Sequence, residues 1–220
     1  MIHIQKGFEP RSLRDHRNTP GADFDSLDKT ETRKCLLQEQ GYLCAYCMKR
    51  IRNASDVKIE HYVARNSENE LVYTNLLAVC DGNNNTKDEM GKVNKDRFTC
   101  DSMKKNHPLH INPQKKSDME TIYYDNQGKI YSRNAIYEED LNHILNLNDE
   151  YGYLIANRKD AINVIMNKLR ELKPGQDAMP LLNRLKSKYE SKNEKGEYEE
   201  YLGIIRWYIE KHIRKHVRKS

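Results

Sequence analysis

Two residues separate Cys44 from Cys47. That gap lets one tight turn aim both sulfurs at a single tetrahedral ion. Cys80 and Cys100 follow later in the chain and complete four candidate thiolate ligands for zinc. Glu60-His61 and Asn75 lie between the two cysteine pairs, and Asp101 comes directly after the last cysteine. A carboxylate, an imidazole and an amide are the residue types of metal-assisted hydrolysis. Four sulfurs close a coordination sphere, so an ion held by them is expected to be structural and not catalytic.

Glu60 and His61 are neighbours in a stretch that alternates apolar and polar residues. Strand neighbours point to opposite faces, so the two converge on one site only if the strand ends or bends there. His61 is then the candidate general base, because neutral imidazole is available near pH 7. Glu60 and Asp101 are the candidate ligands of a catalytic divalent cation, and oxygen donors suit Mg²⁺ or Mn²⁺. Asn75 is expected to bridge the loop that follows His61 and to orient the imidazole. Lys104 and Lys105 meet phosphate or form a solvated helix face. Cys35, in helical context, is expected to be a buried free thiol.

The elements that must position these residues can be read in outline. Residues 1–25 are polar and contain Pro10 and Pro20, which predicts an extended arm. A helix is expected from Asp25 or Ser26 to Gln40, stopping at Gly41. Val57–His61 and Asn75–Cys80 read as short strands and Asp101–Asn106 as a short helix, giving the order β-β-α. The segment 81–98 is rich in Asn, Lys, Asp and Gly and reads as an exposed loop. Two tyrosine-bearing runs, 122–124 and 130–131, flank Asn126-Gln127-Gly128 and predict a hairpin. From Glu138 onward the apolar spacing is helical, with a break at Pro174-Gly175 and further helices over 181–189 and 198–217.

The 220 residues carry a net charge of +5 and five cysteines. Residues 184–220 alone hold eleven Lys/Arg and six Glu, so the basic excess lies at the C-terminal end. Mean hydropathy is −0.97, which limits the core and makes a metal staple useful. No run reaches the roughly 18 apolar residues of a membrane helix, and no apolar signal core opens the chain, so a cytoplasmic location without membrane association is expected. In that compartment the cysteines point to metal and not to disulfides. The basic last helix reads as a solvated basic face or a partner-binding helix in preference to a nucleic-acid contact.

The set Cys44-x2-Cys47, Glu60-His61, Asn75 to Cys80 and Cys100-Asp101-x2-Lys104 resembles the HNH endonuclease family. Three departures stand out: Glu in place of Asp before the histidine, Asp in place of Asn after the last cysteine, and a long gap between Cys80 and Cys100. The opening of the chain, Cys44-Ala45-Tyr46-Cys47-Met48 and Leu109-His110-Ile111-Asn112-Pro113 are similar to one subgroup, the HNH nucleases of Septu-type anti-phage systems and related retron effectors. The resemblance covers about residues 1–115. It implies a small zinc-stapled ββα-metal core; with the hairpin and the helical spacing of residues 116–220, which the resemblance does not cover, the chain reads as an α+β, mainly helical protein with a C-terminal helical region. It also implies cleavage of DNA or, as the second choice, RNA, together with an ATPase partner subunit. His61 takes the family's general-base position and Asn75 its middle asparagine. Glu60 and Asp101 take its cation-binding positions, with His107 or His110 as competitors for that of Asp101. The rival reading is a non-catalytic zinc module that binds nucleic acid or protein and needs the cysteines alone.

Overall fold

A computed structural model describes residues 1–149 and 151–218. The arm opens extended and is tied down along its length. The Ile4 amide donates to the Pro113 carbonyl at 2.8 Å, and the Lys6 ammonium reaches the Leu76 carbonyl at 2.9 Å and the Glu39 carboxylate. The arm is not extended throughout: Pro10 starts a helix, α1 (Arg11–Arg17), whose Leu13 is fully buried. Proline's fixed φ suits the entry to a helix, so Pro10, read as part of an extended arm, stands at the start of one. Helix α2 (Thr30–Glu39) begins later than expected. Asp23 and Ser26 form their own turn, and Asp28 accepts the Thr30 amide at 3.0 Å.

Strands β1 (Lys58–His61) and β2 (Leu76–Val79) pair antiparallel, with Glu60 opposite Leu77 and His61 opposite Leu76. All four residues of β2 are buried. Its other edge is covered by the buried side chain of Gln40, which accepts the Ala78 amide and donates to the Ala78 carbonyl, both at 2.8 Å. One amide side chain thus substitutes for a third strand and leaves the edge satisfied. Helix α3 (Cys100–Lys104) completes the β-β-α unit. Glycine is required at position 82 in the intervening loop: φ is +59°, and a Cβ there would lie 2.2 Å from the Thr99 carbonyl oxygen.

The second half follows its pattern. A turn of helix, α4 (Lys116–Met119), leads to an antiparallel hairpin, β3 (Ile122–Tyr124) with β4 (Ile130–Ser132). Helix α5 (Ala135–Glu139) widens into a π turn over Asp140–Ile144, and the chain then breaks before α6 (Tyr153–Arg170). Helices α7 (Met179–Glu190) and α8 (Leu202–Val217) close the fold. One hydrophobic core runs from Met1 and Leu13 through the β-β-α unit to Ile209. Helix α8 docks on the cysteine turn: the Tyr201 amide donates to the Met48 carbonyl at 3.0 Å and Glu200 accepts the Arg50 amide at 2.9 Å. The basic residues of α8 beyond Ile209 lie toward its outer end, where Arg214, Lys215 and Arg218 are exposed. No described helix is long and apolar enough to cross a membrane.

Candidate metal centre and active site

The Cys44–Cys47 turn is built by its backbone. The Cys44 amide donates to Lys49 and the Met48 amide to Cys44, at 2.9 and 3.1 Å. Met48 sits at φ +66°, and the Lys49 amide points at the Cys47 sulfur from 3.5 Å. The turn rests on β2 through the Ala45 amide and the Ala78 carbonyl, 3.0 Å apart. Cys80 directly follows β2, so its sulfur is placed by the sheet. Cys100 is left-handed at φ +53° and its amide is fixed by the Leu145 carbonyl at 2.9 Å.

All four sulfurs are buried and lie within 4.8 Å of one another. Cys44 Sγ is 3.9 Å from Cys100 Sγ, and Cys47 Sγ is 3.7 Å from Cys80 Sγ. A tetrahedron with zinc–sulfur bonds of about 2.3 Å has an edge of about 3.8 Å. The observed spacing therefore fits a structural metal such as zinc and is far too long for disulfides. Burial opposes a thiolate at Cys44, but the neighbouring Cys100, Cys47 and Cys80 thiols hydrogen-bond to it and bring its pKa well below that of a free thiol. The same hydrogen bond raises Cys100 well above the free-thiol range, and Cys47 is raised as well, so the preference for a thiolate is confined to Cys44 among these three. Cys35 stands apart as a free thiol and is half-buried, not fully buried as expected, because α2 turns only part of that side toward the core.

Next to the sulfurs lies a second buried polar group. Glu60 accepts the Tyr46 hydroxyl at 3.3 Å and pairs with the Lys104 ammonium at 2.6 Å. Asp101, half-buried at the start of α3, is within hydrogen-bonding reach of Glu60. Burial raises the Glu60 pKa most, and the hydrogen bond and negative charge of Asp101 add to it. Together they outweigh the opposing pull of Lys104, and the pKa is pushed up to about 8. Burial, and then the charge of Glu60, likewise push Tyr46 well above its ordinary range, so its phenol stays a neutral donor.

Lys104 departs from the sequence reading. It is neither a solvated helix face nor free to meet phosphate, being 1 % exposed. Beyond Glu60 its ammonium donates to the His61 carbonyl at 3.3 Å and the Lys105 carbonyl at 3.4 Å. No periodicity announces this, since a lysine at the end of a short helix normally reads as solvent-facing.

His61 ends β1, and its ring leaves the strand toward a different set of neighbours from those of Glu60. The ring packs edge-on against Phe24 with centroids 4.5 Å apart, and Nε2 lies 3.0 Å from the Glu70 carbonyl. A carbonyl only accepts, so Nε2 carries the proton and Nδ1 keeps the lone pair. Burial lowers the His61 pKa below 6.5 against the raising effect of the Glu70 carbonyl. Asn75 is buried and spans the loop after His61: its Oδ1 accepts the Val63 amide at 2.8 Å and its Nδ2 donates to the Val63 carbonyl at 3.0 Å. The loop carrying Glu70, and through it the imidazole, is thereby held.

Thus the fold brings Glu60, Asp101 and Lys104 together, with the backbone of His61 touching that group through Lys104. The imidazole and the carboxylates do not share a hydrogen bond among the contacts of the described residues. His110 belongs elsewhere, its Nδ1 lying 3.3 Å from Asp140, and His107 lies exposed in the loop after α3. Tyr46 and Phe24 were not singled out from sequence as members of the site, and only the Cys44–Cys47 turn, which encloses Tyr46, gave any hint of one; Lys104 was read as a phosphate contact or a solvated face, not as a partner of Glu60. The chain matches no protein-family model and no curated protein, so a functional reading rests on this geometry and on the motif.

Proposed function

We propose that the chain is a metal-dependent nuclease that hydrolyses phosphodiester bonds, with DNA as the favoured substrate and RNA second. The observation that carries this reading is the meeting of Glu60 and Asp101 beside the end of the strand that bears His61. Two carboxylates forced together inside a protein must share a proton or a cation. Glu60 and Asp101 would hold a Mg²⁺ or Mn²⁺ ion, which supplies neutralising charge at the phosphate when bound. The sulfur cluster supports the site by fixing α3, and hence Asp101, against the sheet.

In this reading His61 Nδ1 takes the proton of the attacking water while Nε2–H stays on the Glu70 carbonyl. The new P–O bond forms as the bond to the 3′ oxygen breaks, and the departing oxygen takes a proton from solvent water. The depressed His61 pKa keeps the base neutral at pH 7 and puts the acid limb of cleavage below pH 6.5. A zinc-stapled adaptor without hydrolytic chemistry is the second reading. It draws on the Glu60–Lys104 pair, which is equally at home in a closed core. Plasmid nicking with Mg²⁺ or Mn²⁺, run with and without a candidate ATPase subunit and on tRNA in parallel, separates the two. Wild type is expected to cleave, and His61→Ala to lose at least a hundredfold in rate with zinc content unchanged. Cleavage by His61→Ala at the wild-type rate would sink the assignment.

A further inference from the structure

We propose that Lys104 is the built-in counter-ion of the carboxylate pair, holding the place of the divalent cation until that cation displaces it. The inference rests on reading Glu60 and Asp101 as a cation site and adds the residue that controls its loading.

The geometry is that of an occupant and not of a bystander. The ammonium lies 2.6 Å from Glu60 Oε1, with the two side chains 1 % and 6 % exposed. Its other contacts are the backbone carbonyls of His61 and Lys105, so it is surrounded by oxygen as a bound cation is. Lys104 and Asp101 lie on the same short helix, and Lys105 turns the chain away at φ +50° immediately afterwards. A lysine stem is flexible and its head is a point charge, so the ammonium can leave along its own side chain without moving the helix. It cannot stay. An ammonium and a divalent ion competing for the same carboxylate oxygen in a buried, low-dielectric site repel strongly. Loading is therefore an exchange of one cation for another, and the chain idles until the divalent ion is concentrated enough to drive it.

A lysine that merely completes a core ion pair predicts lost stability on substitution and no gain in metal affinity. The exchange predicts the opposite sign for affinity. Mn²⁺ binding to the zinc-loaded full-length chain, read by the loss of the free-ion electron paramagnetic resonance signal, decides between them. Lys104→Met is expected to bind Mn²⁺ at least tenfold more tightly than wild type, and Lys104→Arg, which keeps the charge, no more tightly than wild type. Adding Glu60→Gln to Lys104→Met should abolish the gain, which places the ion at Glu60. Should Lys104→Met fail to fold, Lys104→Gln carries the same expectation, since it keeps a donor for Glu60 and the His61 carbonyl but no charge. Folded, uncharged variants that bind Mn²⁺ no more tightly than wild type overturn the inference while leaving the nuclease reading intact. If neither wild type nor any variant binds Mn²⁺, the carboxylates are not a cation site and both readings fall together.

Discussion

The four sulfurs and the Glu60–Asp101–Lys104 group hang on the same five-residue helix, α3, yet they meet burial differently. The sulfur centre is made of like groups. Its ligands come from a braced turn, the end of β2 and a strained residue at the head of α3, and all four cysteines are buried. Such a site holds one ion of fixed geometry or nothing, and it suits a staple. The carboxylate centre is made of unlike groups. It carries its own cation, and Asp101 remains half-buried at its edge. Buried charge that is already neutralised can change partners without unfolding its surroundings. On the exchange proposed above, one centre is built to stay closed and the other to change its cation.

The largest effect should come from opening the closed centre. Structural zinc contributes on the order of 10 kcal/mol to small metallodomains, comparable with the whole stability of a typical domain, about 5–15 kcal/mol. Cys47→Ser, or stripping the metal with a strong chelator, is expected to abolish cooperative thermal unfolding and near-ultraviolet circular dichroism. A metal-free chain that keeps its melting temperature would show that the sulfurs are ordinary core thiols, and the contrast would vanish.

A smaller effect belongs to the exchangeable centre and is read through pH. Glu60 has a folded-state pKa of about 8 against 4.5 for an ordinary glutamate. Between those values the folded chain holds a proton that the unfolded chain has released, so stability falls as pH rises. This contribution is complete below about pH 4.5 and lost by about pH 8. Glu60→Gln mimics the protonated acid and should flatten this slope, leaving the variant closer to wild type at pH 5 than at pH 8. Urea midpoints of both chains across the window provide the check. Parallel slopes would mean that Glu60 is ionised throughout and that Lys104 neutralises it fully.

How far the sequence reveals each centre follows from the same contrast. The sulfur centre is legible because metal ligands must obey spacing: a two-residue gap and two further cysteines are enough to expect a cluster. The short strands are legible because β1 alternates and β2 is wholly apolar. Lys104 is not, because its burial depends on Glu60 lying across the sheet, and no local pattern encodes a partner that far away. The Phe24–His61 contact is hidden for the same reason. Helix α1 was missed because its composition is that of a solvated strap, with only Leu13 to anchor it. Asn75 could be picked out as a loop bridge, but the pairing of its amide with both polar groups of Val63 is a tertiary fact.

That pairing gives the smallest and most discriminating test. Asn75→Ala removes one acceptor and one donor from Val63 in a part-buried loop, a loss of about 1–3 kcal/mol. The loop also carries the Glu70 carbonyl that holds His61 Nε2. Slackening it admits water to the imidazole, and because burial is what lowers the His61 pKa, the pKa should climb back toward 6.5. Titration of the His61 ring protons by nuclear magnetic resonance follows this directly, and a metal competition assay on the same sample reports zinc affinity. The sulfurs sit on the Cys44–Cys47 turn, the end of β2 and the head of α3, none of which Asn75 touches, so zinc affinity should stay at the wild-type value while the imidazole moves. If zinc affinity falls in step with the His61 shift, the sulfurs and the loop form one cooperative unit. The division between a closed centre and an adjustable one would then have to be abandoned.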